Sequence, residues 1–166
     1  MSFEIDRRAL LSALGVMAFA PKSVFAKDYI DLEWADLLPE GQVAIPPSIQ
    51  ELIQHDGPDL SRQQPPSKGV RTDWNGEIVR LPGFMVPIDY SGTGVTAFIL
   101  VPFVGACVHV PPPPANQLVF VTTEKPYEST GLFEAVNVVG MFGTASLSTQ
   151  LAEIAYALSA DHIEPF

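Results

Sequence analysis

Sixteen prolines and twelve glycines stand in a chain of 166 residues. Proline lacks a donor N–H and clashes with the preceding helical turn, while glycine loses the most backbone entropy on folding. A density this high argues against a helix bundle and for short strands separated by fixed turns. The chain is also 47% apolar, with ten phenylalanines, so a packed body is expected rather than a disordered one. Its length suits a single core.

The strand character begins at Val70. Asn75-Gly76 is a tight-turn dipeptide, and the apolar residues Ile78, Val79, Leu81, Phe84, Val86 and Ile88 follow it, broken by Pro82-Gly83 and Pro87. Ser91 to Gly94 makes a turn, and further strands are expected at Val95–Val101, Leu118–Thr122, Ala135–Phe142 and Tyr156–Ile163. Leu147–Ala155 has room for a short helix. Five short strands carrying internal glycines and prolines predict a small, strongly bent barrel, since glycine permits coiling and proline is tolerated only at edges and bulges. The expected fold is mainly β: a five-stranded barrel of the oligonucleotide/oligosaccharide-binding (OB) type, with a small β-sandwich as the alternative.

Residues 27–69 read as a short helical and looped segment packed on that barrel, which occupies 70–166. Leu32, Trp34, Leu37 and Leu38 form a short apolar face stopped by Pro39 and Gly41. Ser48 and Glu51 have capping-box spacing for a helix that runs to about His55. Ser61 to Gly69 is a loop.

Residues 1–26 have the layout of an export signal. Arg7-Arg8 precede a twelve-residue apolar run, Ala9–Ala20, and Val24-Phe25-Ala26 fits a cleavage site after Ala26. The run is shorter than the roughly 20 residues needed to span a bilayer, so no stable membrane anchor is expected. The arginine pair and Lys22 resemble a twin-arginine signal, although Asp6 and Leu10 depart from that pattern. Periplasmic localisation follows.

The chain carries 9 basic and 19 acidic side chains, a net charge of −10. Cleavage after Ala26 would leave six basic and seventeen acidic groups, a net of −11. Basic residues beyond the first eight are scattered singly, so no nucleic-acid footprint exists. A lone cysteine excludes an internal disulfide framework.

The chemistry concentrates in Val104–Gln117, VGACVHVPPPPANQ. Cys107 and His109 flank one valine; Pro111, Pro112, Pro113 and Pro114 follow, and then the amides Asn116 and Gln117. This block, with Phe98-Ile99-Leu100-Val101-Pro102-Phe103 before it, resembles a family of exported bacterial proteins catalogued as domain of unknown function 3299. Trp34-Ala35-Asp36-Leu37-Leu38-Pro39 and Asn75 to Phe84, with Val86-Pro87, resemble it too. The resemblance covers essentially all of the chain after the signal. It implies export and a site at the Cys-His-Pro-Asn-Gln block, without an activity. Relatives encoded beside transporter components for metal supply imply an envelope transporter complex as a partner.

If Cys107 and His109 lay on a strand, both side chains would share one face, with Cα atoms about 6.6 to 7 Å apart. A thiolate and an imidazole at that separation suit zinc or copper over magnesium or calcium. Two ligands leave a third to come from His55, His162, Asp161 or Glu164. The prolines would form a stiff polyproline segment holding Asn116 and Gln117 against the site. The same residues admit other readings. Cys107 is equally a small buried hydrophobe, His109 a residue satisfied by one backbone carbonyl, and the amides partners of neighbouring loops. A Cys–His nucleophile is the enzyme alternative, weakened because a base two residues along a strand points parallel to its nucleophile. A non-catalytic accessory module of an envelope transporter is the third.

Overall fold

Glycine at position 83 lets one strand serve two partners. The computed structural model describes residues 28–42 and 63–166. Among the described residues there are six strands: β1 (Ile30–Asp31), β2 (Ile78–Ser91), β3 (Gly94–Val101), β4 (Val119–Tyr127), β5 (Ala135–Ser148) and β6 (Glu153–Pro165). The first half of β2 pairs antiparallel with β5, from Ile78↔Met141 to Phe84↔Ala135. Its second half pairs with β3, from Phe84↔Val101 to Ser91↔Gly94. At the corner a Cβ on Gly83 would lie 2.8 Å from Leu100 Cγ and 2.9 Å from the Val101 carbonyl. A side chain there would push β3 away, so the bend needs glycine.

The pairings β2-β3-β4-β6-β5 return to β2 and close a five-stranded barrel. β4 and β6 are parallel, and every other pairing around the ring is antiparallel. The expected OB-like barrel is therefore present, with strands longer than the sequence runs implied. β2 continues through Pro82 and Pro87, and the second of these sits beside a register shift between Pro87 and Asp89. That bulge is where a residue without an N–H does least damage to a ladder.

Alternation along the strands fills the barrel. Val79, Leu81 and Met85 of β2, Phe98 and Leu100 of β3, Val119 and Val121 of β4, Val136, Val138 and Phe142 of β5, and Tyr156 and Leu158 of β6 share one buried cluster. Leu32 and Leu37 enter the same cluster from the N-terminal segment. β1 lies parallel to β2 through Ile30↔Val79 and Asp31↔Arg80, and the Leu32 N–H extends that pairing by donating to the Arg80 carbonyl at 2.9 Å.

Two helical expectations are corrected. Residues 34–41 form turns, with Asp36 N–H donating to Glu33 O and Leu38 N–H to Ala35 O. The apolar residues there serve as plugs for the barrel rather than as one face of a helix. Leu147–Ala155 holds no helix either: β5 runs to Ser148 and β6 begins at Glu153. Thr149 makes the connection, its hydroxyl oxygen accepting from the N–H groups of Leu151 and Ala152 at 3.2 and 3.0 Å. Threonine offers the backbone a local turn in place of a helical hydrogen bond. The helix expected after Ser48 lies outside the described residues, as do the signal and His55.

Asn75-Gly76 does form a turn, but not a hairpin between two strands. The Gly76 N–H donates to the Phe142 carbonyl at 2.8 Å. The Asn75 side chain accepts from Thr144 N–H at 2.9 Å and donates to the Thr144 hydroxyl at 3.2 Å. The turn thus stitches the entry to β2 onto β5.

Candidate functional site

The Cys-His block follows β3 directly, and its first half is a turn rather than a strand. The N–H groups of Val108, His109 and Val110 all donate to the Gly105 carbonyl, at 3.3, 2.8 and 3.1 Å. Cys107 adopts a left-handed φ of 66°, a conformation uncommon for a residue with a side chain. Strand alternation does not apply in such a turn, and the two side chains have opposite environments. Cys107 is 3% exposed, in a second apolar cluster with Val86, Ile99, Val101, Ala106, Leu118, Ala152 and Ile154. His109 is exposed, its ring 6.0 Å from that of Phe133.

This second cluster lies on the outer side of β3. Phe98 and Leu100 point into the barrel, whereas Ile99 and Val101 point the other way and are covered by Ala106 and Cys107. Burial pushes the Cys107 thiol up to about 12. It is therefore protonated at neutral pH, neither a ready nucleophile nor a ready metal ligand. Among the described residues, no three of His, Cys, Asp and Glu gather closely enough to hold an ion. His162, a possible third ligand, is exposed on β6 with its Nε2 3.6 Å from a Glu164 carboxylate oxygen.

The second half of the block fastens the rest of the chain to the barrel. Pro111, Pro112 and Pro113 are buried, and Pro114 has polyproline-like angles, φ −52° and ψ 150°. They lead into a single 3-10 turn, Ala115–Gln117, which aims both amides inward. Gln117 is 5% exposed and donates to the Trp34 carbonyl at 2.9 Å and the Asn116 carbonyl at 3.0 Å. Asn116, 1% exposed, donates to the Gly69 carbonyl at 2.8 Å. Among the described residues its Oδ1 accepts no hydrogen bond.

Three residues outside the block complete this fastening. The Tyr156 hydroxyl, in the barrel core, donates to Leu37 O at 2.8 Å and accepts from Arg71 N–H at 2.7 Å. Trp34 Nε1 donates to Pro82 O at 2.8 Å. Gln64 donates to the carbonyls of Pro113 and Glu153 and accepts from Glu153 N–H, each within 2.9 Å. Trp34 was visible in the sequence as part of a short apolar face. Tyr156 and Gln64 carried no local signal, because their partners lie 119, 85 and 89 residues away.

The amides thus bond to neighbouring loops, the second of the roles open to them from sequence. The model of the DUF3299 family, described as proteins of unknown function, matches residues 34–165. The chain belongs to the DUF3299 family. A crystal structure of a DUF3299 family protein from Pseudomonas aeruginosa PAO1 is 35% identical to it, with a TM-score of 0.72. That likeness covers 83% of this chain and 96% of the other. No curated protein matches the chain.

One further polar centre in this DUF3299 protein went unread in the sequence. The Glu134 carboxylate accepts from the Tyr127 hydroxyl and the Ser129 hydroxyl, each at 2.8 Å, and from Thr130 N–H at 2.6 Å. It closes the loop between β4 and β5. Burial raises the Glu134 pKa, but the hydrogen bonds from Thr130, Tyr127 and Ser129 outweigh it and hold the carboxyl below its ordinary value of 4.5. Tyr127 moves the other way: burial, then its bond to Glu134, pushes the phenol up to about 12. A depressed carboxyl contributes stability above its unfolded pKa and loses it as pH falls through the folded value. Glu134→Gln should therefore lower Tm at pH 7, and the gap to the native protein should shrink steadily below about pH 4.5. Thermal melts across pH 3 to 7 check this; a gap that stays constant would contradict it.

Proposed function

We propose that this protein is a non-catalytic binding module, exported to the periplasm, whose block after β3 meets a protein partner of the cell envelope such as a transporter component. The observation that carries the reading is how the block divides its residues. Its thiol is buried and protonated, and its two amides bond to the chain's own backbone. The residues it leaves outward are Val104, 60% exposed, and His109, beside Phe133 and its 49% exposed neighbour Leu132. Exposed apolar side chains beside an imidazole suit a protein contact better than a reaction. The net charge of −10 favours a partner surface that is neutral or basic.

Zinc or copper at Cys107 and His109 is the other reading carried from the sequence. It requires the thiol to ionise and leave its apolar cluster, so binding would be weak and would release protons. Calorimetric zinc titration of the native protein and of Cys107→Ser and His109→Ala tests it.

The contact reading is tested by a photo-crosslinking residue placed at Val104 in living cells, with one at the exposed Met141 of β5 as control. One defined envelope-protein adduct is expected from position 104 and none from 141. Equal adducts from both positions, or none from 104, would sink the proposal. Export is tested separately. Arg7-Arg8→Lys-Lys should leave the uncleaved precursor in the cytoplasm, and continued export would exclude the twin-arginine route.

A further inference from the structure

The turn that covers the outer face of β3 is held down in an unusual way. Its backbone bonds are internal: three N–H groups converge on the Gly105 carbonyl, and Ala106 forms a bridge with Val110. Among the described residues, no hydrogen bond or ion pair runs from residues 103–110 to any strand of the barrel. Among the described residues, what holds the turn is apolar contact. Ala106 and Cys107 rest on Val86, Ile99, Val101, Leu118, Ala152 and Ile154, with Phe103 and Val108 at the margin.

The flanks differ. Before the turn, β3 ends at Val101 in full ladder pairing with Phe84. After it, Pro113 is fastened by Gln64, and Asn116 and Gln117 are fastened to Gly69 and Trp34. The turn is thus a self-contained unit between two anchored ends. Among the described residues, lifting it breaks no hydrogen bond to the barrel and leaves its own intact; it returns apolar surface to water. Segments secured by few directional bonds open at free energies below that of global unfolding.

We propose that residues 103–110 form a lid that lifts as one unit from the outer face of β3 while the barrel stays folded. The open state uncovers Ile99 and Val101 and delivers the Cys107 thiol to solvent. Because Cys107 is the only cysteine in the chain, it reports this opening without further engineering. The inference does not depend on any partner.

Native-state thiol labelling tests it. The full-length protein is exposed to excess Ellman's reagent at pH 8, in a series of urea concentrations below the unfolding midpoint, with global unfolding followed by circular dichroism. Cys107→Ser serves as the blank. The lid predicts labelling at least about tenfold faster than global unfolding allows, with a rate that barely changes with urea, since little surface is exposed on opening. Two results overturn the proposal. One is labelling whose urea dependence and extrapolated rate coincide with global unfolding. The other is labelling as fast as a free thiol, which would mean that the cover is never closed.

Discussion

Gly140→Ala is expected to abolish the folded barrel. Gly140 lies in β5 opposite Ala160 of β6, beside a register shift between Val139 and Gly140. A Cβ there would fall 2.8 Å from Ala160 Cα and 2.8 Å from the Ser159 carbonyl carbon, and closer still to the Ser159 carbonyl oxygen. All three are backbone atoms of a paired strand, so no rotamer change relieves the clash. β6 would have to move off β5, and β6 also pairs with β4 to close the ring. A cost above about 4 kcal/mol is expected, the range reached when backbone packing fails. That is a large part of the 5 to 15 kcal/mol that holds a typical domain folded, roughly. Gly143→Ala in the same strand is the control, because its nearest new neighbour would be Asn75 Oδ1 at 3.9 Å. The control should melt within about 1 kcal/mol of the native protein, while the Gly140 variant yields little folded material. Equal melting curves for the two variants would refute the packing argument.

Gln117→Ala should have the next largest effect, about 3 kcal/mol in urea denaturation. The side chain is 5% exposed and donates to the Trp34 and Asn116 carbonyls. Removing it leaves two carbonyls without this donor, worth about 1 to 3 kcal/mol together, and a void where the side-chain carbons packed. Gln117→Leu fills the void and keeps only the lost hydrogen bonds, so it should cost less, about 1 to 3 kcal/mol. Tyr156→Phe removes a second fastening, to Leu37 and Arg71, without touching the first. Because both act on the segment around residues 34–37, the double variant should cost less than the sum of the two singles. Strict additivity would mean that the two hold independent pieces of chain.

Both predictions concern the scaffold, and the scaffold explains why the block after β3 reads so strongly in the sequence. Prolines 111 to 114 deliver Asn116 and Gln117 to the N-terminal segment, whereas Gly105 to Val110 cover the outside of β3. A single stretch therefore performs two packing tasks on opposite sides of its own strand end. Its concentration of unusual residue types is met by these structural demands, and its outward remainder is small.

The barrel was legible because strand periodicity and turn chemistry are local. Five apolar runs bounded by glycine and proline placed β2 to β6, with ends short of their true limits wherever polar residues such as Thr144 to Ser148 continue a strand on pairing alone. The helical reading of residues 34–41 failed for a related reason. Trp34, Leu37 and Leu38 have helix-like spacing, but Leu37 and Trp34 pack on barrel residues far away in sequence, and turns deliver them equally well. The direction of Cys107 was beyond the sequence altogether. Its spacing from His109 implies a shared face only on a strand, and the choice of a left-handed turn is made by what the turn covers. Sequence by itself determined that this chain is mainly β, carries one thiol, and bends at its glycines. Only the tertiary structure decided that the thiol faces the apolar floor on β3, that the amides grip Trp34 and Gly69, and that Glu134 gathers its loop. Each of those outcomes depends on groups distant in sequence meeting in a dry interior, where an unpaired polar group or an empty space costs more than any local preference supplies.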